Sequence, residues 1–530
     1  MSQFTWIDML VLVAYVALTA LVGAWVGRKQ GSTEDYFLGG RRIPWWAIGL
    51  SVMATQASAI TFIGAPGWGY QGGLERLIMF VNAPLAVGFL IAFIVPVFYR
   101  SGVYTVYEYL EKRFDVRARV FAAVLFLLAR GLATGVVLYA PALVLSVVTG
   151  WSVDWTIVVM AVIAVAYTVF GGIRAVIWTD VMQMLVLWLG AALSVFVIIN
   201  HLPGGWGEVI SHAREMDMLH PINLDTSPSV TYSLWTGILG GFFLHVAYFG
   251  TDQSQIQRVL TSKSETESKR SLMLGGFLLI PQMMLFLFIG IMLHAFYSHV
   301  GEPDVANSNE LFPRFIVSQL PPGISGLVIA GVFAAAMSSL DSALNSLSAV
   351  SVRDIYQRFI KRDASEAHYL KASRWVTVFW GIFATIFAFF AGNLGPVIEA
   401  VNKIGSYFNG ALLGAFLVAL LSRRINATGA ISGLVLGSVI VGVLSRMTEM
   451  SWLYYNLVGA VIVIVVGYVI SAFGAKPAAH KLKGLTWYQP DEPGQASRLG
   501  HAPDRTRHWV IALVVYFVAV MALLFYLQSL

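Results

Sequence analysis

The chain has 530 residues, of which 58% are hydrophobic and only 12% are charged, so it is not an ordinary soluble globule. Its formal net charge of +6 at pH 7 does not by itself indicate nucleic-acid binding, because basic loops that face anionic lipid explain it equally well. The absence of cysteine excludes disulfides, thiol catalysis and metal sites with Cys ligands.

Apolar segments of membrane-spanning length follow one another along the whole chain. Each is long enough to cross the roughly 30 Å hydrocarbon core of a bilayer. They predict an all-α polytopic membrane protein with about 14 transmembrane helices. The first segment lacks the basic start and the cleavage site of a signal peptide, so we interpret it as a retained span. The approximate limits are 7–27, 45–66, 77–99, 120–147, 153–171, 175–200, 232–250, 272–297, 323–349, 375–392, 395–421, 427–446, 452–473 and 508–528.

Basic residues are distributed unevenly between the loops that connect these spans. If the N-terminus lies outside, the outward loops contain only Arg76, Arg214, Arg314 and Arg446 of the 34 lysine and arginine residues. Arg130 and Lys403 lie within spans, and all the others fall in inward loops. The positive-inside rule therefore predicts a protein of the bacterial inner membrane with both termini periplasmic.

Two spans carry more polar residues than a lipid-facing helix needs. In the ninth, Ser338, Asp341, Ser342 and Ser346 share one helix face, and their oxygens are of the type that hard cations such as Na⁺ prefer. The alternative is a face of small residues that lets helices approach closely. Polar or broken helices at membrane depth need protein or a water-filled cavity around them, and pairs of them mark the binding sites of many transporters. The second span is polar at Ser51, Thr55, Gln56, Ser58 and Thr61 and then runs into Gly64-Ala65-Pro66-Gly67.

Three further charged residues lie within or at the ends of spans. Asp180 lies near the inner end of the sixth span, where it is either functional or a hydrated helix-end carboxylate. Asp252 follows the seventh span in a polar run that predicts a cavity floor, a gate or a simple cap. Arg130 lies in the fourth span and is either a ligand for an anion or a snorkelling arginine. Motifs of zinc proteases, serine hydrolases and P-loop ATPases are missing, which argues against an enzyme or an ATP-driven pump.

Taken together and in order, several segments resemble the sodium:solute symporter family, which includes bacterial galactose, proline and sialic acid transporters. The resemblance implies a LeuT-type core of two inverted five-helix repeats, and inward transport of a solute coupled to Na⁺. The segments that carry it are Ser32 to Phe37, Gly39 to Trp46, Tyr104 to Phe114, Gly171 to Gln183, Gly250 to Arg258 and Phe333 to Tyr356.

This resemblance also implies a division of the chain into five parts. A first span and cytoplasmic loop occupy 1–44, and the first repeat with its outward loop occupies 45–231. The second repeat occupies 232–426, spans 12 and 13 occupy 427–474, and a cytoplasmic linker with the final span occupies 475–530.

Two sodium sites follow from the resemblance. The principal site uses the backbone carbonyls of Ala54, Ala57 and Ala335 and the hydroxyls of Ser338 and Ser339. Some family members bind a second Na⁺ further inward, and this chain has Asp341 where the sialic acid transporters have serine. The matching residues of that possible second site are Asp180, Ser338, Asp341 and Ser342.

The identity of the solute transfers poorly from the family. Residues that contact sugar in the bacterial galactose transporter are replaced here by Thr61, Phe80, Ala83, Leu279 and Asp252. The arginine that binds sialate aligns with Ala133, one helical turn from Arg130. These differences favour a monocarboxylate or another organic anion, with a sugar next. The predicted solute pocket contains Gln56, Ser58, Thr61, Phe80, Arg130, Asp252 and Gln253.

The predicted ligands are Na⁺ ions, a small-molecule solute and the lipid bilayer. We expect no organic cofactor, no nucleic acid and no obligatory protein partner. Two alternatives stay open at this stage. One is proton coupling, with Asp180, Asp252 and Asp341 as candidate carriers, and the other is a passive uniporter or channel for the same solute class.

Overall fold

The computed structural model describes residues 4–27, 33–303, 305, 308–394, 397–487 and 505–529. This part of the chain is almost entirely helical, which confirms the predicted fold class. The predicted linker 475–507 and the start of the family segment at Ser32 lie partly outside the described residues. Helices α1 to α20 are, in order, Trp6–Gly27, Thr33–Leu38, Trp45–Gln56, Ala59–Gly72, Ala83–Phe89, Val95–Ser101, Val106–Arg113, Val116–Thr149, Val153–His201, Gly205–Glu215, Gly241–Thr251, Gln253–Val259, Glu265–Val300, Leu311–Gln319, Ile324–Val350, Glu366–Ala391, Val397–Leu421, Ala427–Met447, Tyr454–Ala472 and Thr506–Gln528.

Among the described residues, 11 helices are long and apolar enough to cross a membrane, or 12 if the bent pair α3 and α4 counts as one span. The sequence-based number of about 14 is therefore approximate. The difference comes from the predicted spans 153–171 and 232–250. The first corresponds to the shorter apolar helix Val153–Ala166, and the second begins with the π-helical turn Thr236–Gly240 and ends at Asp252.

The long element α9 contains two of the predicted spans in sequence. Gly172 interrupts it with φ 57° and ψ 176°, a backbone conformation that side chains other than glycine rarely adopt. The chain therefore turns at Gly172 between the predicted fifth and sixth spans. This turn sets the start of the helix that carries Asp180.

Two spans are interrupted within the helix bundle, and each is the first span of a predicted repeat. Helices α3 and α4 meet at an angle of 55° around Ala57 and Ser58. Helices α11 and α12 are separated by Asp252, whose backbone is extended with φ −79° and ψ 120°. Interrupted helices at corresponding positions of two repeats are where transporters of this architecture bind ions and solutes.

Helix α15 lies at the centre of the bundle. In its most apolar stretch 89% of the residues are buried, compared with 17% for α20, which therefore packs at the periphery. Helix α15 contacts α3, α4, α8 and α9. The polar residues that the sequence places on α15 therefore face other helices and not lipid.

Helix α1 is tied to the beginning of α15 by one carboxylate. Asp8 Oδ1 accepts hydrogen bonds from the backbone N–H of Gly323 at 2.7 Å and of Gly326 at 2.9 Å, and from the hydroxyl of Ser325 at 2.6 Å. A carboxylate at this end of a helix satisfies N–H groups that have no partner within the helix. The first span is thereby fixed against the central helix.

Candidate sodium and solute site

The break between α3 and α4 exposes backbone carbonyls that a continuous helix would use. No backbone N–H among the described residues bonds to the carbonyl oxygen of Ala54 or of Ala57. Local side-chain bonds stabilise the break, since the Thr61 hydroxyl donates to the carbonyl of Gln56 at 3.0 Å. Carbonyls released in this way are typical cation ligands in transporters with broken helices.

Across from this break, α15 presents the hydroxyls of Ser338 and Ser339. Both oxygens are buried, and neither makes a hydrogen bond of normal geometry with any described residue. Buried polar atoms almost always have a partner, so two adjacent exceptions indicate a missing ligand. The donor set consists of neutral oxygens, which fits Na⁺ and not a metal that prefers nitrogen or sulfur. The residues of the predicted principal site therefore fit the ion.

A cavity of about 80 Å³ adjoins these hydroxyls. Ser339 belongs to its wall, so the cation ligands and the cavity share a boundary. Five residues of the predicted solute pocket line it: Gln56, Ser58, Thr61, Phe80 and Arg130. The remaining wall is mostly apolar, with a polar contribution from Thr55, His245, Tyr248 and Asn402. We call this space the central cavity.

A second, smaller space of about 40 Å³ adjoins the central cavity on the side of Asp252. Asp252 lines this lower cavity and not the central one, so the structure brings it only to the edge of the predicted pocket. Arg130 lines both spaces, and its Nη2 lies 2.6 Å from Oδ2 of Asp252. It also donates to the hydroxyl of Ser254. Arg130 is therefore not a lipid-facing snorkelling residue.

Gln253 lies away from both cavities. Its Oε1 accepts a hydrogen bond from the backbone N–H of Val106 at 2.9 Å, and its Nε2 donates to the carbonyl of Tyr104 at 3.1 Å. The Gln253 amide therefore links α12 to the start of α7 through one accepted and one donated hydrogen bond. The geometry gives Gln253 a structural position and does not bring it to the predicted solute pocket.

Two of the four residues of the possible second sodium site, Asp180 and Ser342, contact a guanidinium group. Arg258 Nη2 lies 3.1 Å from Oδ2 of Asp180 and also donates to the hydroxyl of Ser342. Its Nε donates to Ser51 at 2.7 Å, and Ser51 in turn donates to Asp180. Arg258 and Asp180 are both fully buried. A sodium ion at this position would have to compete with a cation that the protein itself supplies.

Asp341 differs from Asp180 in making no ion pair with a basic side chain among the described residues. Its Oδ1 accepts a hydrogen bond from the Thr168 hydroxyl at 2.6 Å. Its Oδ2 is buried without a partner among the described residues. Removing an ionised carboxylate from water is costly unless a counter-charge or a proton compensates it. Asp341 therefore has the environment of a group that binds a proton or an incoming cation.

A cluster of ion pairs lies on the predicted cytoplasmic side of the bundle. Arg119 Nε donates to Oδ1 of Asp354 at 2.6 Å, and the Thr105 hydroxyl donates to the same oxygen at 2.7 Å. Glu111 joins this group through Arg119 at 2.8 Å and Arg358 at 2.6 Å. Burial would raise the pKa of the Glu111 carboxyl, but the hydrogen bonds and charges of the two arginines outweigh burial and lower it.

Sequence reasoning missed several residues that line the cavities. Tyr248, whose hydroxyl accepts a bond from Gln255 at 2.6 Å, and Asn402, in α17, contribute to both spaces. His245 hydrogen-bonds Asn82 at 2.9 Å and lines the central cavity. Isolated polar residues in apolar helices form no spacing pattern, so only the intramembrane position of Asn402 and Tyr248 could have indicated a role.

Comparison with known proteins identifies the family. The sequence profile of the Sodium:solute symporter family matches residues 36–437, and the chain belongs to this family. It is 32% identical to the sodium/sialic acid symporter NanT of Aliivibrio fischeri over 472 residues, which cover 88% of this chain and 93% of that protein. It is 31% identical to the human sodium-coupled monocarboxylate transporter 1 over 442 residues, or 82% of this chain and 72% of that protein.

A solved structure shows the same architecture. The substrate-bound, outward-open state of a Na⁺-coupled sialic acid symporter aligns with a TM-score of 0.83 and 31% identity, covering 89% of this chain and all but 1% of that one. The LeuT-type fold predicted from sequence is thereby confirmed. The protein is a Na⁺-coupled solute symporter of the membrane and not an enzyme.

Proposed function

We propose that this protein carries a small organic solute, in the first place a monocarboxylate or another organic anion and next a sugar, together with Na⁺ by alternating access. We place it in the bacterial inner membrane with both termini periplasmic, as the loop charges predict. Ala54, Ala57, Ala335, Ser338 and Ser339 hold the coupling ion. Gln56, Ser58, Thr61, Phe80 and Arg130 surround the solute.

The observation that carries the proposal is the position of Ser339. Its unpartnered hydroxyl belongs to the cation ligands and also to the wall of the central cavity. An ion at this position connects α15 to the break between α3 and α4, and the same break supplies Gln56 and Ser58 to the solute pocket. Ion and solute therefore order one shared set of residues. Such an arrangement makes each ligand raise the affinity for the other, typically by 1–3 kcal/mol.

The size and charge of the central cavity support a small anion. At about 80 Å³ it is smaller than the roughly 150 Å³ cavity that holds benzene in a well-studied protein, so a short-chain acid fits better than a large sugar acid. Arg130 offers a guanidinium, the group best suited to a carboxylate. A human relative at 31% identity is named as a monocarboxylate transporter.

We assign the coupling to the principal site and not to the possible second one. Ser338 and Ser339 make no hydrogen bond of normal geometry with a described residue, whereas Ser342 and Oδ2 of Asp180 already bind Arg258. Only Oδ1 of Asp180 has no such partner. A second Na⁺ at Asp180, Ser338, Asp341 and Ser342 requires Arg258 to move away. One sodium ion per cycle at the principal site needs no such rearrangement.

Uptake into proteoliposomes tests this proposal. An inward Na⁺ gradient should drive accumulation of radiolabelled lactate above its external concentration, and replacing Na⁺ by choline should abolish it. Ser338→Ala and Ser339→Ala should lose accumulation. Ser346→Ala is the matched control, because its hydroxyl lies on the same buried helix and already donates to Ala343 at 2.9 Å. Accumulation of lactate in choline would contradict the proposal.

A second candidate function is proton-coupled symport, and one observation favours it. Asp341 has a buried oxygen without a partner and no cation in contact, which is the environment of a carboxyl that takes up a proton. Uptake driven by a pH gradient in choline, and lost in Asp341→Asn, would establish this alternative. Equal counterflow of solute without any cation would instead indicate a passive uniporter.

A further inference from the structure

The two cavities are separated by a thin layer of side chains that both of them share. Arg130, Leu244, Tyr248, Val401 and Asn402 line the central cavity and the lower cavity alike. We call these five residues the partition. These shared residues lie between the predicted solute pocket and the space next to Asp252, so a solute that leaves by this route has to displace them.

Arg130 is the charged member of the partition, and Asp252 holds it on the lower side. The contact from Nη2 to Oδ2 measures 2.6 Å, and both side chains are about nine-tenths buried. The guanidinium Nε is buried without a partner among the described residues. The Arg130 guanidinium lies 5.8 Å from the ring centre of Tyr248, so it is packed but not saturated with acceptors.

Asp252 uses its two oxygens for different tasks. Oδ2 pairs with Arg130, whereas Oδ1 accepts from the backbone N–H of Ser254 at 2.8 Å and caps α12. The residue lies at the break between α11 and α12, where the backbone of the second repeat is extended. A change at Oδ2 can therefore reach the geometry of this break.

We propose that Asp252 substitutes for the solute's carboxylate until the solute arrives, and that solute binding transfers Arg130 from Asp252 to the solute. This inference rests on the proposed uptake of an organic anion. A carboxylate in the central cavity presents to Arg130 the same group that Asp252 now presents from the other side. Because the guanidinium Nε has no partner among the described residues, exchange can begin before the internal pair has broken.

The exchange favours opening of the lower cavity. Once Arg130 has turned to the solute, Asp252 is a buried carboxylate without a counter-charge, which is costly. Water entering the lower cavity from the predicted cytoplasmic side removes that cost. A neutral analogue of the solute gives no such effect, because it has no charge with which to replace Asp252. The pair Arg130–Asp252 thus selects anions and links their binding to release.

Binding and transport of matched probes test the role of Asp252. Lactate and its neutral isostere lactamide are compared in NaCl on wild type and on Asp252→Asn, which retains a side chain able to cap α12. We expect Asp252→Asn to bind lactate at least about tenfold more tightly, since the internal competitor is gone, while its transport rate falls about tenfold. Lactamide should bind weakly to both proteins. Unchanged or weaker lactate binding by folded Asp252→Asn would overturn the inference.

Asp354→Asn is the matched control for removal of a buried carboxylate from an arginine. Its carboxylate pairs with Arg119 and lines neither cavity. We expect this variant to lower the unfolding temperature without tightening lactate binding. Tightening of the same size in Asp354→Asn would mean that the effect at Asp252 is not specific, and would also overturn the inference.

A second measurement does not depend on any change at Asp252. Because the chain has no cysteine, Asn409→Cys places a single thiol in the lower cavity. Its modification by a small hydrophilic thiol reagent should speed up severalfold with Na⁺ and lactate, and not with Na⁺ and lactamide. Lactate that binds without changing the rate overturns the inference but leaves the proposed function intact. If neither lactate nor other monocarboxylates bind, both the inference and the proposed solute class fail.

Discussion

The proposed principal sodium site and the acidic cluster around Asp180 both use residues of helix α15, but their polar groups find partners in different ways. At the principal site, neutral oxygens of Ser338 and Ser339 are buried without partners. In the acidic cluster, Asp180 and Ser342 surround Arg258, a cation that belongs to the chain. One site needs an external ion to complete it, and the other is already neutralised from within.

This difference separates a coupling site from a structural one. A transported ion is released in each cycle, so its ligands must remain in the folded protein without it. For uncharged hydroxyls and carbonyls the free-energy cost of losing the ion is modest. A carboxylate such as Asp180 does not tolerate the loss of its cation, so a tethered arginine suits it better. The predictions below test this contrast, beginning with the largest expected effect.

Removal of the tethered cation should destabilise the protein strongly. Arg258→Met leaves Asp180 buried without the cation it contacts among the described residues, and we expect a loss of about 3–5 kcal/mol in unfolding free energy. Thermal or denaturant unfolding of the purified variant measures it. Adding Asp180→Asn to the same chain should restore much of the loss.

The control for this prediction is an exposed pair of the same chemistry. Arg117 pairs with Asp115 at 2.8 Å, but 62% of its side chain is exposed. Arg117→Met should therefore change the unfolding free energy far less than Arg258→Met does. If Arg258→Met were as mild as Arg117→Met, Arg258 would not be the counter-charge of the acidic cluster.

Loss of a hydroxyl at the principal site should weaken Na⁺ binding with little effect on stability. Ser338→Ala and Ser339→Ala remove oxygens that make no hydrogen bond of normal geometry with a described residue, so folding should lose little. We expect the half-saturating Na⁺ concentration to rise at least about tenfold, which corresponds to about 1.4 kcal/mol. Na⁺ titration of the thermal unfolding temperature measures this shift, and wild-type behaviour in both variants would remove the site assignment.

Asp341→Asn should affect stability less than Arg258→Met does, and Na⁺ affinity less than Ser338→Ala or Ser339→Ala does. An asparagine Oδ1 still accepts the bond from Thr168, and no cation in contact is left unpaired. We expect the unfolding free energy to change by less than about 1 kcal/mol and the half-saturating Na⁺ concentration by less than about threefold. A large fall in Na⁺ affinity would show instead that Asp341 holds a second sodium ion.

The smallest predicted effect concerns pH on the predicted cytoplasmic side. Arg119 and Arg358 lower the pKa of Glu111 in spite of its burial, so the contribution of Glu111 to stability is present above its unfolded pKa and is lost as pH falls through its folded pKa. Because Glu111 is partly exposed, we expect less than about 1 kcal/mol. Glu111→Gln should lack this acid-dependent loss in unfolding scans between about pH 6 and pH 3.

Much of the architecture could be predicted from the sequence because hydrophobic runs and loop charges are strong signals. The break between α3 and α4 was also foreseeable, since polar residues at Gln56 and Ser58 interrupt an apolar helix, whereas the polar run at Asp252 predicted only a cavity floor, a gate or a cap. The predicted number of spans was only approximate. The helix Val153–Ala166 is short, and the chain turns at Gly172 within the long element α9.

The partners of the charged residues could not be predicted. Loop counting assigns Arg258 to a cytoplasmic loop, yet it is fully buried against Asp180. Sequence reasoning placed Arg130 and Asp252 in one solute pocket, but it could not show that they bind each other. Such pairs join residues more than 70 positions apart, and no local pattern in a single sequence records them.

The most direct test of the account is thermal unfolding of the purified protein with lactate or lactamide, each in NaCl and in choline chloride. A ligand that binds only the folded state raises its stability by mass action. The account predicts a rise in unfolding temperature with lactate in NaCl alone, and none with lactamide in either salt. Equal shifts by lactate in both salts would contradict the central claim that Na⁺ at Ser338 and Ser339 organises the solute site.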